Sequence, residues 1–208
     1  MFSGIIEEVG AIKGVSARGG FYLCEILCPV IAAVIKPGDS VSVNGVCLTA
    51  EKVASGIFSA SLSSQTRGQT NLGSAKAGDS VNLESAVKMG EPVGGHLLTG
   101  HIDFKTKLKT FYKRDSSVTL SFDIPAAFER YAVSRGSIGV DGISLTIAEL
   151  ENREIKIFLV PFTIENTNLK HRKPGDTLNI EVDIAVKYAE KNLQAHNSPK
   201  RPKISGLL

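Results

Sequence analysis

With 208 residues, 42% hydrophobic and 22% charged, the chain has a globular balance and room for one large domain or two of about 100 residues. It has no apolar run near the roughly 20 residues that span a bilayer, and its start, Met1-Phe2-Ser3-Gly4-Ile5-Ile6-Glu7-Glu8, lacks the features of a secretory signal; a cytoplasmic address and no membrane partner are expected. The net charge is +3, but Lys187, Lys191, Lys200, Arg201 and Lys203 against Glu190 place the basic surplus at the C-terminal end, so the near-neutral body offers no stripe for nucleic acid.

The elements are short, and they recur. Tyr22–Leu27 reads as a strand and Val30–Ile35 as a short helix. Ser40-Val41-Ser42-Val43-Asn44-Gly45-Val46-Cys47-Leu48-Thr49 alternates polar and apolar residues before an Asn-Gly pair, the pattern of a tight hairpin. Ile57–Leu62 is a further strand. Ser137-Ile138-Gly139-Val140-Asp141-Gly142-Ile143-Ser144-Leu145-Thr146 then repeats the hairpin, with Gly142 standing 97 positions after Gly45. Thr70-Asn71-Leu72 is answered at the same offset by Thr167-Asn168-Leu169, and the stretch 78–84 by 175–181. Ser3-Gly4-Ile5 aligns with Thr99-Gly100-His101 after a shift of one residue. Ser117–Phe122 and Ile155–Val160 are strands, and 125–133 reads as a helix with Pro125 in its first turn, the counterpart of Val30–Ile35. These helices are expected to cover the open end of a barrel. The pattern gives two copies of one antiparallel module with about six strands each, as in a sandwich or closed barrel. Beyond Asp183, Val186, Ala189 and Leu193 keep helical spacing on a helix outside both repeats, whose expected partner is another subunit. The segment 198–203 reads as a disordered tail.

The mismatches between copies carry the chemistry. Cys47 stands opposite Ser144, and Ile5 opposite His101. A free cysteine on a strand is most often a small buried hydrophobe, but Cys47 shares a face with Thr49 and reads equally as a polarisable or nucleophilic sulfur lining a pocket. His101 follows Gly100, whose bare backbone allows close approach, which favours a functional role. His96, five positions earlier, falls on the opposite face of a straight strand and reads as structural. Cys24 and Cys28 belong in the core, and His171 and His196 on the surface. The three cysteines lack the spacing of a zinc site, so neither metal nor disulfide is expected. No Ser/His/Asp arrangement or phosphate loop supports hydrolysis or phosphoryl transfer.

Four stretches, Met1-Phe2-Ser3-Gly4-Ile5, Asn44-Gly45-Val46-Cys47-Leu48-Thr49, Gly94-Gly95-His96-Leu97-Leu98-Thr99-Gly100-His101-Ile102 and Asp141-Gly142-Ile143-Ser144-Leu145-Thr146, together closely resemble the riboflavin synthase family, in order over residues 1–185. The resemblance implies an all-β fold of two tandem antiparallel Greek-key barrels of about six strands. These lumazine-binding domains would occupy 1–96 and 97–184, with a C-terminal trimerisation helix and flexible tail at 185–208. It implies a transferase that dismutes two 6,7-dimethyl-8-ribityllumazine molecules to riboflavin and 5-amino-6-(D-ribitylamino)uracil, the last step of riboflavin biosynthesis, with no cofactor. It also implies a homotrimer whose active site lies between the first barrel of one subunit and the second of its neighbour, and it leaves association with lumazine synthase open.

Carried over by position, one pocket would use Gly4, Ile5, Ile6, Cys47, Leu48, Thr49 and Ser61-Leu62-Ser63-Ser64-Gln65-Thr66. The other would use Gly100, His101, Ile102, Arg135, Ser144, Leu145, Thr146 and Phe158-Leu159-Val160-Pro161-Phe162-Thr163. His101 and Cys47 are the expected catalytic pair, with Ser40, Ser144, Thr146 and Asp183 as helpers. Three positions depart from the family: Arg135 for Lys, Gln65 for Glu and Phe162 for His. The rival is a noncatalytic lumazine or flavin carrier on the same duplicated barrel; such carriers look degraded where this chain keeps His96 and His101. A flavin-dependent reductase would need a Gly-rich βαβ turn, which is missing.

Overall fold

Alternating apolar residues and Gly-marked turns fold each half into one curled antiparallel sheet. The computed structural model describes residues 1–114 and 117–197, so the tail expected at 198–203 lies outside the described residues. In the first half, β1 (Glu8–Arg18), β2 (Phe21–Leu27), β3 (Ser40–Val43), β4 (Val46–Thr49), β5 (Lys52–Ala54), β6 (Ile57–Leu62) and β7 (Ser80–Ser85) lie in the order β4-β3-β7-β1-β2-β6-β5. The second half repeats this with β8 (Phe104–Arg114), β9 (Ser117–Asp123), β10 (Ser137–Val140), β11 (Ile143–Thr146), β12 (Glu149–Glu151), β13 (Glu154–Leu159) and β14 (Thr177–Val182), ordered β11-β10-β14-β8-β9-β13-β12. Each sheet has seven strands. The strand beyond the expected set is β5 or β12, three residues long and too short to show alternation. A register shift between Ile12 and Gly14, and its counterpart between Leu108 and Thr110, sharpens the twist that brings β4 back against β6 and β11 against β13.

Inward-facing side chains fill two cores, one around Val41, Val43, Phe58, Leu62 and Leu83, the other around Leu120, Phe122, Val140, Ile157 and Ile180. Cys24 and Cys28 are buried in the first, and burial pushes both thiols up to about 11, which keeps them protonated and unreactive. The expected helices are single turns, α1 (Pro29–Ala32) and α3 (Ala126–Glu129). Pro125 is the residue before α3 rather than within its first turn, and Pro37 disfavours helical backbone at Lys36 after α1. Apolar spacing gave no sign of α2 (Ser64–Gln69) or α4 (Pro161–Glu165), which follow β6 and β13; the Ser63 hydroxyl caps α2 by accepting from Thr66 N at 2.9 Å. The final helix, α5 (Ile184–Asn197), is tied down by Lys187 to Asp103 at 2.7 Å, while its Tyr188 and Leu193 stay exposed.

The halves interlock at their hairpins. Asn44, Gly45, Asp141 and Gly142 have φ of 47°, 79°, 46° and 78°, the two-residue turn that the Asn-Gly and Asp-Gly pairs specify. The tips touch, since a Cβ on Gly45 would lie 2.8 Å from Gly142 N. Asparagines then cross from half to half: Asn82 Nδ2 donates to Asp141 O at 2.9 Å, and Asn179 Nδ2 to Asn44 O at 2.8 Å. Asp141 is fully buried and takes Arg172 at 2.6 Å, a pair that Asn44 and Ala75 replace in the first copy. The segments leading into each half also change sides. Phe2 and Leu98 form a bridge, donating to each other's carbonyls at 2.8 and 3.0 Å, and beyond it Ile6 packs on the second core while Ile102 packs on the first.

Candidate functional site

A buried carboxylate holds each leading segment. Glu84 on β7 accepts from Ser3 N at 2.6 Å, Ser3 Oγ at 2.7 Å and Gly4 N at 3.0 Å. Glu181 on β14 accepts from Thr99 N at 2.7 Å, Thr99 Oγ1 at 2.6 Å and Gly100 N at 3.1 Å. Burial raises the pKa of both carboxyls above the ordinary value, and the donors oppose that rise. Held this way, the Gly100 carbonyl accepts from Cys47 N at 2.9 Å, and the Gly4 carbonyl from Ser144 N at 2.8 Å. Glycine is required at both: a Cβ on Gly100 would run into the Cys47 side chain, and one on Gly4 would lie 2.6 Å from the Ser144 Cβ.

The first pocket is a cavity of about 300 Å³ whose lining includes Cys47, Gln65, Thr66, Gly100, His101 and Ile102. Thiol and imidazole, carried by different copies, therefore share one cavity. This corrects the grouping expected from sequence. Gly100, His101 and Ile102 join Cys47, not Ser144, while Gly4, Ile5 and Ile6 accompany Ser144, not Cys47. The cause is the exchange of leading segments, which repeat register alone does not reveal.

At the second copy's counterpart, the linker between the halves lies across Ser144. His96 Nδ1 is 2.6 Å from Ser144 Oγ, and His96 N donates to Ser3 O at 3.1 Å. His96 lies in a stretch that is not a strand, so strand alternation does not decide which way it faces, and it meets Ser144 at this site. Its Nε2 is buried without a partner. Burial pushes the imidazole below the ordinary histidine range, opposed by the Asp183 charge, so the ring is neutral at pH 7 and can hydrogen-bond the serine hydroxyl. The adjacent Gly95 was the available signal, since only a bare backbone passes so close to Ser144.

The remaining expected residues lie outside the lining of the Cys47 cavity. Leu48, Leu62, Leu145 and Leu159 turn into the cores, so a ligand could meet only their backbone. Ser40 lines a different cavity, beside Val34, Asp39 and Val87, while Thr49 and Thr146 are exposed on β4 and β11. Asp183 accepts from Ala185 N at 2.9 Å as α5 begins. Ser61 is exposed and Ser64 opens α2; Pro161 opens α4, which contains Thr163. Phe158, Val160 and Phe162 are 59%, 61% and 74% exposed, where the first copy carries Ser61, Ser63 and Gln65; one rim is apolar, its counterpart polar. Arg135 has a left-handed φ of 67°, and Gly38 is its counterpart at 96°.

One cavity lined by both halves, and a Ser144–His96 contact at the equivalent place of the second copy, define a duplicated β protein whose repeats complete each other. The family described as "Lumazine binding domain" matches residues 3–86 and 99–183. The riboflavin synthase of Actinobacillus pleuropneumoniae is 37% identical over 193 residues, 93% of this chain and 90% of that protein. That of Mycobacterium bovis is 38% identical over 199 residues, 94% of this chain and 99% of its own length. Crystal structures of LumP complexed with riboflavin and with flavin mononucleotide match at TM-scores of 0.80 and 0.78, each at 26% identity and covering 88% of this chain and 99% of theirs. The chain belongs to the lumazine-binding family that includes the riboflavin synthases, which are transferases. Among the described residues, no helix is long and apolar enough to cross a membrane.

Proposed function

We propose that this chain is a cytoplasmic transferase that dismutes two 6,7-dimethyl-8-ribityllumazine molecules, moving a four-carbon unit from one to the other to give riboflavin and 5-amino-6-(D-ribitylamino)uracil. The observation that carries the reading is the convergence of Cys47, His101 and Thr66 in one cavity, with a Ser144–His96 pair at the equivalent place of the other copy. Two related pockets suit a reaction between two identical substrates. Orienting them supplies about 7–11 kcal/mol, whereas a single general base gives about 10²–10⁴-fold. His101 moves the proton, Cys47 assists addition at the ring, and Ser144, Thr146, Ser40 and Asp183 are helpers. Backbone groups at the strand ends meet the ring's amide edge, and Ser and Thr hydroxyls such as those of Ser63 and Thr66 meet the ribityl chain. The substrate ring itself holds the developing negative charge, so the reaction takes no cofactor.

In this reading three chains associate through α5, so that the first pocket of one protomer faces the second pocket of its neighbour. Exposed Tyr188 and Leu193 on α5, and the exposed apolar rim at Phe158, Val160 and Phe162, support that arrangement. The test is to incubate the pure protein with 6,7-dimethyl-8-ribityllumazine and follow riboflavin absorbance with nothing else added. Similarity to LumP structures complexed with lumazine and flavins favours a second reading, a carrier without turnover. Ligand binding with no riboflavin formed would select it.

A further inference from the structure

We infer that Glu84 and Glu181 are positioning residues, each serving the site of the half to which it does not belong. Both are nearly fully buried, at 2% and 3% exposure, and each uses both carboxylate oxygens on the same three donors: an amide, the hydroxyl of the same residue, and the amide of the following glycine. Such charge-assisted bonds are about twice as strong as neutral ones. The segment so held leaves its own half at once. Glu181, a second-half residue, fixes Thr99 and Gly100, and the residues that follow put His101 in the cavity of first-half Cys47. Glu84, a first-half residue, fixes Ser3 and Gly4, whose carbonyls receive His96 N and Ser144 N of the second site. Neither carboxylate lines the Cys47 cavity, so Glu181 acts there only through the backbone it holds.

The effect on turnover rests on the reading of these pockets as substrate sites; the effect on geometry does not. The test therefore uses the full chain without ligand, recording carbon–proton NMR signals of the histidine rings in Glu181→Gln and Glu84→Gln. Glutamine keeps size and one acceptor but sets an NH₂ group against a backbone donor. Glu181→Gln is expected to move the His101 signal and leave that of His96; Glu84→Gln is expected to do the reverse. With substrate, Glu181→Gln is expected to lower kcat about 10- to 100-fold, as misplacement of a reacting group by about 1 Å does. If Glu181→Gln does not fold, Thr99→Val, which removes one of the three bonds, is expected to move the same His101 signal by less. Movement of both histidines alike in each variant, or of neither, overturns the inference. Selective movement in an enzyme that forms no riboflavin leaves the positioning role intact and removes the proposed reaction instead.

Discussion

The Cys47 amide donates to the Gly100 carbonyl at 2.9 Å, and through that bond the second half's leading segment becomes part of the first half's hairpin edge. Ser144 and Gly4 repeat the relationship at 2.8 Å. Each hairpin edge therefore carries a backbone segment from the other copy. Gly100→Ala is expected to destabilise the protein by about 1–3 kcal/mol, combining left-handed backbone strain with overlap against Cys47. Urea unfolding, with the loss of riboflavin formation, measures it.

His101→Ala is expected to lower kcat about 10²–10⁴-fold, the usual contribution of one proton-transfer group, with thermal stability nearly unchanged because the side chain is exposed. Cys47→Ser is expected to have the smaller effect on the initial rate of riboflavin formation. Wild-type rates in both variants would remove the pair from the mechanism.

Arg172 neutralises the buried Asp141 at 2.6 Å, and removing one partner of such a pair strands the other charge. Arg172→Ala is expected to cost about 3–5 kcal/mol in denaturant unfolding. Adding Asp141→Asn to it reproduces the first copy, where Asn44 occupies the hairpin turn and Ala75 stands in place of the arginine, and is expected to recover most of the loss.

Because its pKa is lowered from the ordinary 6.5, His96 contributes stability that is fully present above that value and is lost as pH falls through the folded-state value. Glu84 and Glu181, whose values are raised from 4.5, act in the opposite sense: their contribution is present below 4.5 and is lost as pH rises through their folded values. The difference in stability between the wild type and His96→Gln is therefore expected to shrink as pH is lowered from 7 toward 5, read as Tm against pH. A difference independent of pH would show that the ring is not held neutral.

Arg135 holds a left-handed φ of 67° where the first copy uses Gly38. Arg135→Gly relieves about 1–2 kcal/mol of strain and loses about 0.5–1 kcal/mol through the freer unfolded chain, so stability is expected to hold or rise slightly. If the guanidinium contacts substrate, KM rises while Tm does not fall. An unchanged KM would mean that the strained arginine has no part in binding.

Much of the fold could be read directly from the residues. The 97-residue offset between Gly45 and Gly142 exposed the duplication, the Asn-Gly and Asp-Gly pairs located the hairpins, period-two alternation marked the hairpin strands, and the spacing of Cys24 and Cys28 placed both in the core. These are local properties, because backbone φ and the inward or outward face of a strand depend on neighbours a few positions away. The grouping of Cys47 with His101, the placement of His96 on Ser144 and the pairing of Asp141 with Arg172 came only from the tertiary structure. Each joins residues from different elements, most of them across the seam between the copies. Since the repeats are alike, either half offers a leading segment the same kind of edge, and the choice is made by long-range contacts: the packing of Ile6 and Ile102 on the opposite cores and the bonds from each segment to Glu84 or Glu181.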